Sequence, residues 1–151
     1  MGYRTVDELE NFDMKDAHIS NMEISSGHLF ITLDNVTIKS SNSCNRDIRD
    51  MRTNDLVFKL QDAQIEYMIK EGYKVYNADG VLQNEVDDEQ ITAENYTAAM
   101  KEFIECYVYE ITKEQDGYLI DIDGEESTYK IKVRASHDVE EWEKFLSKDT
   151  M

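Results

Sequence analysis

The feature that most constrains this chain is an alternation of apolar and polar residues, repeated along its length and broken by short polar turns. Leu29, Ile31 and Leu33 alternate with Phe30, Thr32 and Asp34. Leu56, Phe58 and Leu60 repeat the pattern, as do Tyr118, Ile120 and Ile122, and then Tyr129, Ile131 and Val133. A period of two puts one set of side chains on one face, the signature of a half-buried strand. Short connections between such strands favour antiparallel pairing.

The parity of the apolar positions says where the strands must bend. In His18–Ile24 it switches between Ile19 and Met22, which predicts a bulge at Ser20-Asn21. Ser25-Ser26-Gly27 supplies a turn, and Val36 and Ile38 follow a second shift at Asp34-Asn35. Ala63, Ile65, Tyr67 and Ile69 have the opposite parity to Leu56–Leu60, so Gln61-Asp62 should hold a bulge or sharp bend. Val75-Tyr76, Asp79-Gly80 and Val81-Leu82 read as a short hairpin with a primed turn. Residues 83–91 read as a solvated acidic loop, and 40–54 as a longer loop holding Cys44, Arg46, Arg49 and Arg52, with room for a helical turn around Asp47–Met51. Tyr107, Tyr109 and Ile111 alternate, and the next two strands can share a face only if an even number of residues joins them. A two-residue Gly124-Glu125 loop fits and would set Tyr118 opposite Ile131 and Ile120 opposite Tyr129.

Three segments read as helices. Thr5 can cap the first, with Glu8 completing a capping box. Thr92 caps the second, whose Tyr96, Ala99, Met100, Phe103, Ile104 and Tyr107 share one face at helical spacing. The third starts near Ser136 or Asp138 and carries Val139, Trp142 and Phe145. The expected fold class is therefore α+β: a curved antiparallel sheet or partial barrel with two to three helices packed on it. At 151 residues, with 40% of them apolar, the whole chain 1–151 suits a single domain with a sizeable core.

Charge narrows the function. Sixteen basic against 33 acidic residues leave a net charge of −17. Such a surface repels phosphate backbones and anionic lipid, so neither nucleic acid nor membrane is the expected partner. No apolar run approaches a membrane span, and Met1–Glu8 lacks a signal segment. With only Cys44 and Cys106, and no metal spacing between them, a reduced cytoplasmic protein is expected.

Motifs for chemistry are weak. Ser136-His137-Asp138 names the residue types of a catalytic triad, but adjacent side chains diverge, and the run reads better as a helix cap. His18 and His28 flank a probable hairpin, too far apart to share a metal. Asp121-Ile122-Asp123-Gly124 is only a fragment of a calcium loop and reads as an acidic hairpin tip. Cys44 has arginines near it but no histidine close in sequence, and no carboxylate pair stands out as a glycosidase dyad. No catalytic residue, metal ligand or cofactor is expected, and a hydrolase built on scattered carboxylates ranks last. What remains is charge distribution. Lys130, Lys132 and Arg134 lie on the outward face of one strand. The acidic residues cluster, and Glu85, Asp87, Asp88 and Glu89, with Asp123, Glu125 and Glu126, are the expected contacts for a basic protein partner.

Phe12-Asp13-Met14-Lys15-Asp16-Ala17-His18-Ile19, then Ile24, Leu29–Val36 and Asp55-Leu56-Val57-Phe58, resemble a pattern in small acidic bacterial proteins. Some of those families resemble immunity proteins of polymorphic toxin systems. The resemblance covers about residues 12–69 and implies a non-enzymatic protein that binds and blocks a cognate toxin. No toxin-contact motif is matched, so no contact residue follows from it. The alternative is a small-ligand-binding or scaffolding domain that uses the interior of the curved sheet.

Overall fold

A computed structural model describes residues 2–147. In chain order the strands are β1 (Tyr3–Val6), β2 (Phe12–Asp13), β3 (His18–Ser25), β4 (His28–Asp34), β5 (Val36–Ile38), β6 (Met51–Thr53), β7 (Leu56–Gln61), β8 (Gln64–Lys70), β9 (Tyr73–Tyr76), β10 (Leu82–Val86) and β11 (Glu89–Ile91). A short helix, α1 (Tyr96–Glu102), precedes β12 (Tyr107–Glu114), β13 (Gly117–Asp123), β14 (Thr128–Arg134) and β15 (His137–Trp142).

The expected class is corrected here. Strand makes up 55% of the structure and helix 9%, so this is an antiparallel sheet protein rather than a sheet carrying two or three helices. The first expected helix is β1 followed by a 3-10 turn at Leu9–Asn11. Glu8 closes no capping box; its carboxylate accepts from Ser43 and Asn11. The third expected helix is β15, whose Asp138, Glu140 and Trp142 face inward. Two carboxylates at inward positions hid the alternation. The second expected helix is real but short. Ala99, Met100 and Phe103 are buried, while Glu105, in a left-handed conformation (φ 78°), ends the helical path and Tyr107 leaves on β12 with its ring exposed.

Ten strands form one sheet in the order β1-β15-β7-β4-β3-β12-β13-β14-β8-β11, each antiparallel to its neighbours. The sheet is folded over on itself. Its middle seam, β3 to β12, has a single ladder pair, His18 with Tyr107. Backbone bonds Ile19 N–H to Cys106 C=O (2.9 Å) and Val108 N–H to Ala17 C=O (2.8 Å) support it. The chain passes between the halves at two tight corners, Asp62-Ala63 and Ala135-Ser136. The bond from Ser136 N–H to Gln61 C=O (2.9 Å) ties these corners together. Phe58 on β7 and Tyr118 on β13 meet edge-on at 6.4 Å, although three strands separate them in the sheet. Only facing halves allow that contact, and the core lies between them. Phe103 joins the core against Tyr129, ring to ring at 4.8 Å. Leu9, Phe12 and Met14 are buried in the same core, where Phe12 meets Trp142 edge-on at 5.5 Å. A small sheet, β2-β5-β6, completes the fold.

Several bends fall where parity put them. The β3 bulge lies between Ile19 and Asn21. Ser26 and Gly27 both have positive φ (52° and 80°), as a primed turn requires, and Asn35 (60°) and Asp62 (53°) mark the two other shifts. Other readings are corrected. The β13–β14 loop holds four residues, Gly124–Ser127, so Ile120 pairs with Ile131, Ile122 with Tyr129 and Tyr118 with Val133. The even count survives, but the register moves by two. A bulge in β8 turns Met68 inward and leaves Tyr67 and Ile69 half-buried on the outside. One in β12 buries Val108 and exposes Tyr107 and Tyr109. At the β9–β10 hairpin only Gly80 of the turn is left-handed (φ 79°), so the turn is not primed. Residues 83–91 are no loop: they lie in β10 and β11, which follow one another across a break in the pairing at Asp87-Asp88. Within 40–50 no helical turn forms; buried Asn45 holds that loop by donating to the carbonyls of Ile38, Lys39 and Arg49.

Candidate functional site

The two acidic segments singled out from the sequence meet at one end of the second half-sheet. Strands β8 and β11 pair in that half, and β9 and β10 continue them as a ribbon beyond it. Glu71 joins this arm to the β13–β14 tip, with its N–H donating to Thr128 C=O (2.9 Å) and its carboxylate accepting from the Thr128 hydroxyl (3.2 Å). That contact brings Asp87 and Glu89 beside Glu126.

Two adjoining clefts result, sharing Lys70, Glu126 and Ser127. The smaller, about 410 Å³, lies between Glu71, Tyr73, Val86, Asp87, Glu89 and Glu126. The larger, about 620 Å³, opens between Ile104, Cys106, Tyr107 and Tyr129, rimmed by Glu102, Glu105, Asp123 and Glu125. Five of the seven expected contacts therefore line the clefts: Asp87, Glu89, Asp123, Glu125 and Glu126. Glu85 lies outside them and faces Lys74 at 3.8 Å; Asp88 accepts the Gly72 N–H at 2.7 Å. Glu71, Glu102 and Glu105 were not expected here: the pairing of β8 with β14 brings the first, and the end of α1 before β12 brings the other two. Nor were the apolar side chains Tyr73 and Val86.

The surroundings are predominantly acidic, with Lys70 the cation common to both clefts. Burial and the charge of Glu102 push the Cys106 thiol up, which keeps it a poor nucleophile at neutral pH. On the outer face nearby, burial raises the Asp121 carboxyl, and Glu71, Glu110 and Asp123 add to the effect while Lys130 opposes it. The basic stripe on β14 is answered within the fold. Arg134 meets Glu66 at 2.9 Å, and Lys132 pairs with Glu114. Of the other flagged residues, Cys44 is half-buried with its thiol 3.9 Å from the Arg4 carbonyl. His18 bridges Asp34 (3.4 Å) and Glu105 (3.1 Å), while His28 accepts from the Asp62 N–H (3.0 Å) at the far end of the β3–β4 hairpin.

Ser136-His137-Asp138 caps no helix. Its Asp138 belongs to a second constellation, buried in the core. Asp138 accepts from the Tyr118 hydroxyl (2.6 Å) and the Leu9 N–H (3.0 Å). Two residues on, Glu140 accepts from the Thr5 hydroxyl (2.8 Å). Both carboxyls are fully buried. Burial, aided by the hydrogen bond and charge of Asp138, pushes Glu140 up to about 10, while Thr5 pulls the other way. A protonated Glu140 turns its otherwise unpartnered Oε2 into a donor. Burial and Asp138 likewise raise the Tyr118 phenol. With no solvent access, this pair acts as a strut between β1, β13 and β15.

No group of three or more His, Cys, Asp and Glu residues suited to a metal occurs among the described residues. No helix among them is long and apolar enough to cross a membrane. Comparison with protein-family profiles, with curated proteins and with solved structures gave no match.

Proposed function

We propose that this chain is a non-enzymatic cytoplasmic binding protein that captures a basic protein partner with the acidic end of its sheet, in the manner of an immunity protein neutralising a toxin. The observation that supports this reading most is convergence. Asp87 and Glu89 lie 34 to 39 positions before Asp123, Glu125 and Glu126, yet they line adjoining clefts around Lys70. A predominantly negative field, in which these carboxylates outnumber Lys70, steers a cationic surface and disfavours anionic ones. The N-terminal resemblance to immunity-type proteins points the same way.

The test is kinetic. The protein encoded beside this chain's gene is co-purified with it, and association is followed from ~50 to ~500 mM salt, across which the Debye length shortens severalfold. The expected result is a complex whose association slows steeply with salt while dissociation changes little. The quadruple change of Asp87, Glu89, Glu125 and Glu126 to lysine should slow it further. An association rate indifferent to both overturns the steering reading. The Tyr107 and Tyr129 walls of the larger cleft favour a second reading, a small cationic ligand, which would then lead.

A further inference from the structure

The β9–β10 ribbon is the least self-sufficient part of the molecule. Its strands pair only with each other, and every residue in both is exposed. A lone two-stranded hairpin is marginally stable in water. Yet this one and its turn carry six of the twelve large apolar side chains exposed among the described residues: Tyr73, Val75, Tyr76, Val81, Leu82 and Val86, at 42–55% exposure. Concentrated exposure of this kind marks a contact surface.

The register sorts them. Tyr73 pairs with Val86 and Val75 with Asn84, so Tyr73, Val75 and Val86 share one face. Tyr76 and Leu82 share the other with Lys74 and Glu85. The first face is continuous with the acidic end, because Tyr73 and Val86 themselves line the smaller cleft with Glu71, Asp87, Glu89 and Glu126. The direction of the ribbon is built in at its base. A Cβ on Gly72 would lie 1.9 Å from the Val86 carbonyl oxygen, so the two arms cross at a separation that only glycine allows.

We propose that the Tyr73–Val75–Val86 face is the docking centre for the partner, a cationic protein segment whose basic residues are interleaved with apolar ones. This rests on the acidic-capture reading and adds the apolar anchor that reading lacks. A second copy of the chain is the wrong occupant. Apposing two such faces would bring Glu71, Asp87, Glu89 and Glu126 of each copy together on molecules that each carry −17. A basic partner instead meets carboxylates around an apolar centre, the arrangement in which buried anchors give affinity and rim charges give encounter rate.

The experiment selects ligands for the full chain from a random displayed-peptide library, then measures the recovered peptides as free synthetic peptides. The expected winners combine lysine or arginine with aromatic or aliphatic residues. The Tyr73→Ser/Val86→Ser variant should bind them roughly tenfold or more weakly, the scale of one lost anchor. Its thermal midpoint should stay unchanged, since neither residue is in the core. Winners that are basic but polar, or affinity unmoved in the variant, overturn the docking face and leave the acidic reading standing. Winners without positive charge, or none above background, overturn both. A salt-promoted dimer in sedimentation that the variant abolishes assigns the face to a second copy and overturns the proposal.

Discussion

Glu140→Gln tests the buried acid pair directly. The amide keeps the shape and the donor of a protonated carboxyl but cannot lose a proton. In the folded protein Glu140 titrates near 10; unfolded, it returns to about 4.5. Between those values the folded state holds a proton that the unfolded state has released. Stability must then fall as pH rises, by about 1.4 kcal/mol per pH unit for one proton. From pH 6 to pH 8 the wild type should lose about 2.7 kcal/mol that Glu140→Gln keeps. Below the unfolded value the contribution is fully present and the two proteins should agree. The groups around Glu140 that set the effect are Asp138, Thr5 and Glu8. Urea unfolding at pH 6, 7 and 8 reads the difference, with Trp142, the chain's single tryptophan, as the probe; it is buried two residues along the same strand. If wild type and variant lose stability in parallel across this range, Glu140 is ionised in the folded state and the reasoning fails.

Phe103→Ala should cost about 3–5 kcal/mol, because the ring is fully buried against Tyr129; a denaturation curve showing a loss below about 1 kcal/mol would remove it from the core. Gly72→Ala should be destabilising and should shift amide resonances in Tyr73–Val86, because the Val86 carbonyl occupies the methyl's place; an unchanged spectrum would show that the arms can part freely. Changing Asp87, Glu89, Glu125 and Glu126 to lysine should leave the thermal midpoint within a few degrees of wild type, since all four are exposed; a large drop would make them structural.

The alternating runs Leu29–Leu33, Leu56–Leu60 and Tyr118–Ile122 determined their strands outright, since a period of two with one buried face has few other solutions. Parity also fixed the bends at Ser20, Asn35 and Asp62, because a strand that changes register without a bulge turns its core outward. Tertiary structure decided what local pattern could not. Asp138 and Glu140 look polar in the sequence, yet they lie inside, where Tyr118, the Leu9 N–H and Thr5 bond three of their four carboxyl oxygens. Those partners lie up to 135 positions away, and no window along the chain contains them. The same holds for Tyr67 and Tyr109, whose outward direction depends on bulges set by the neighbouring strand. Composition alone settled the sign of the surface. Where that charge gathers was decided by the pairing of β8 with β14, strands more than fifty positions apart, which set Glu71, Asp87 and Glu89 of one arm beside Glu126 of the neighbouring hairpin tip.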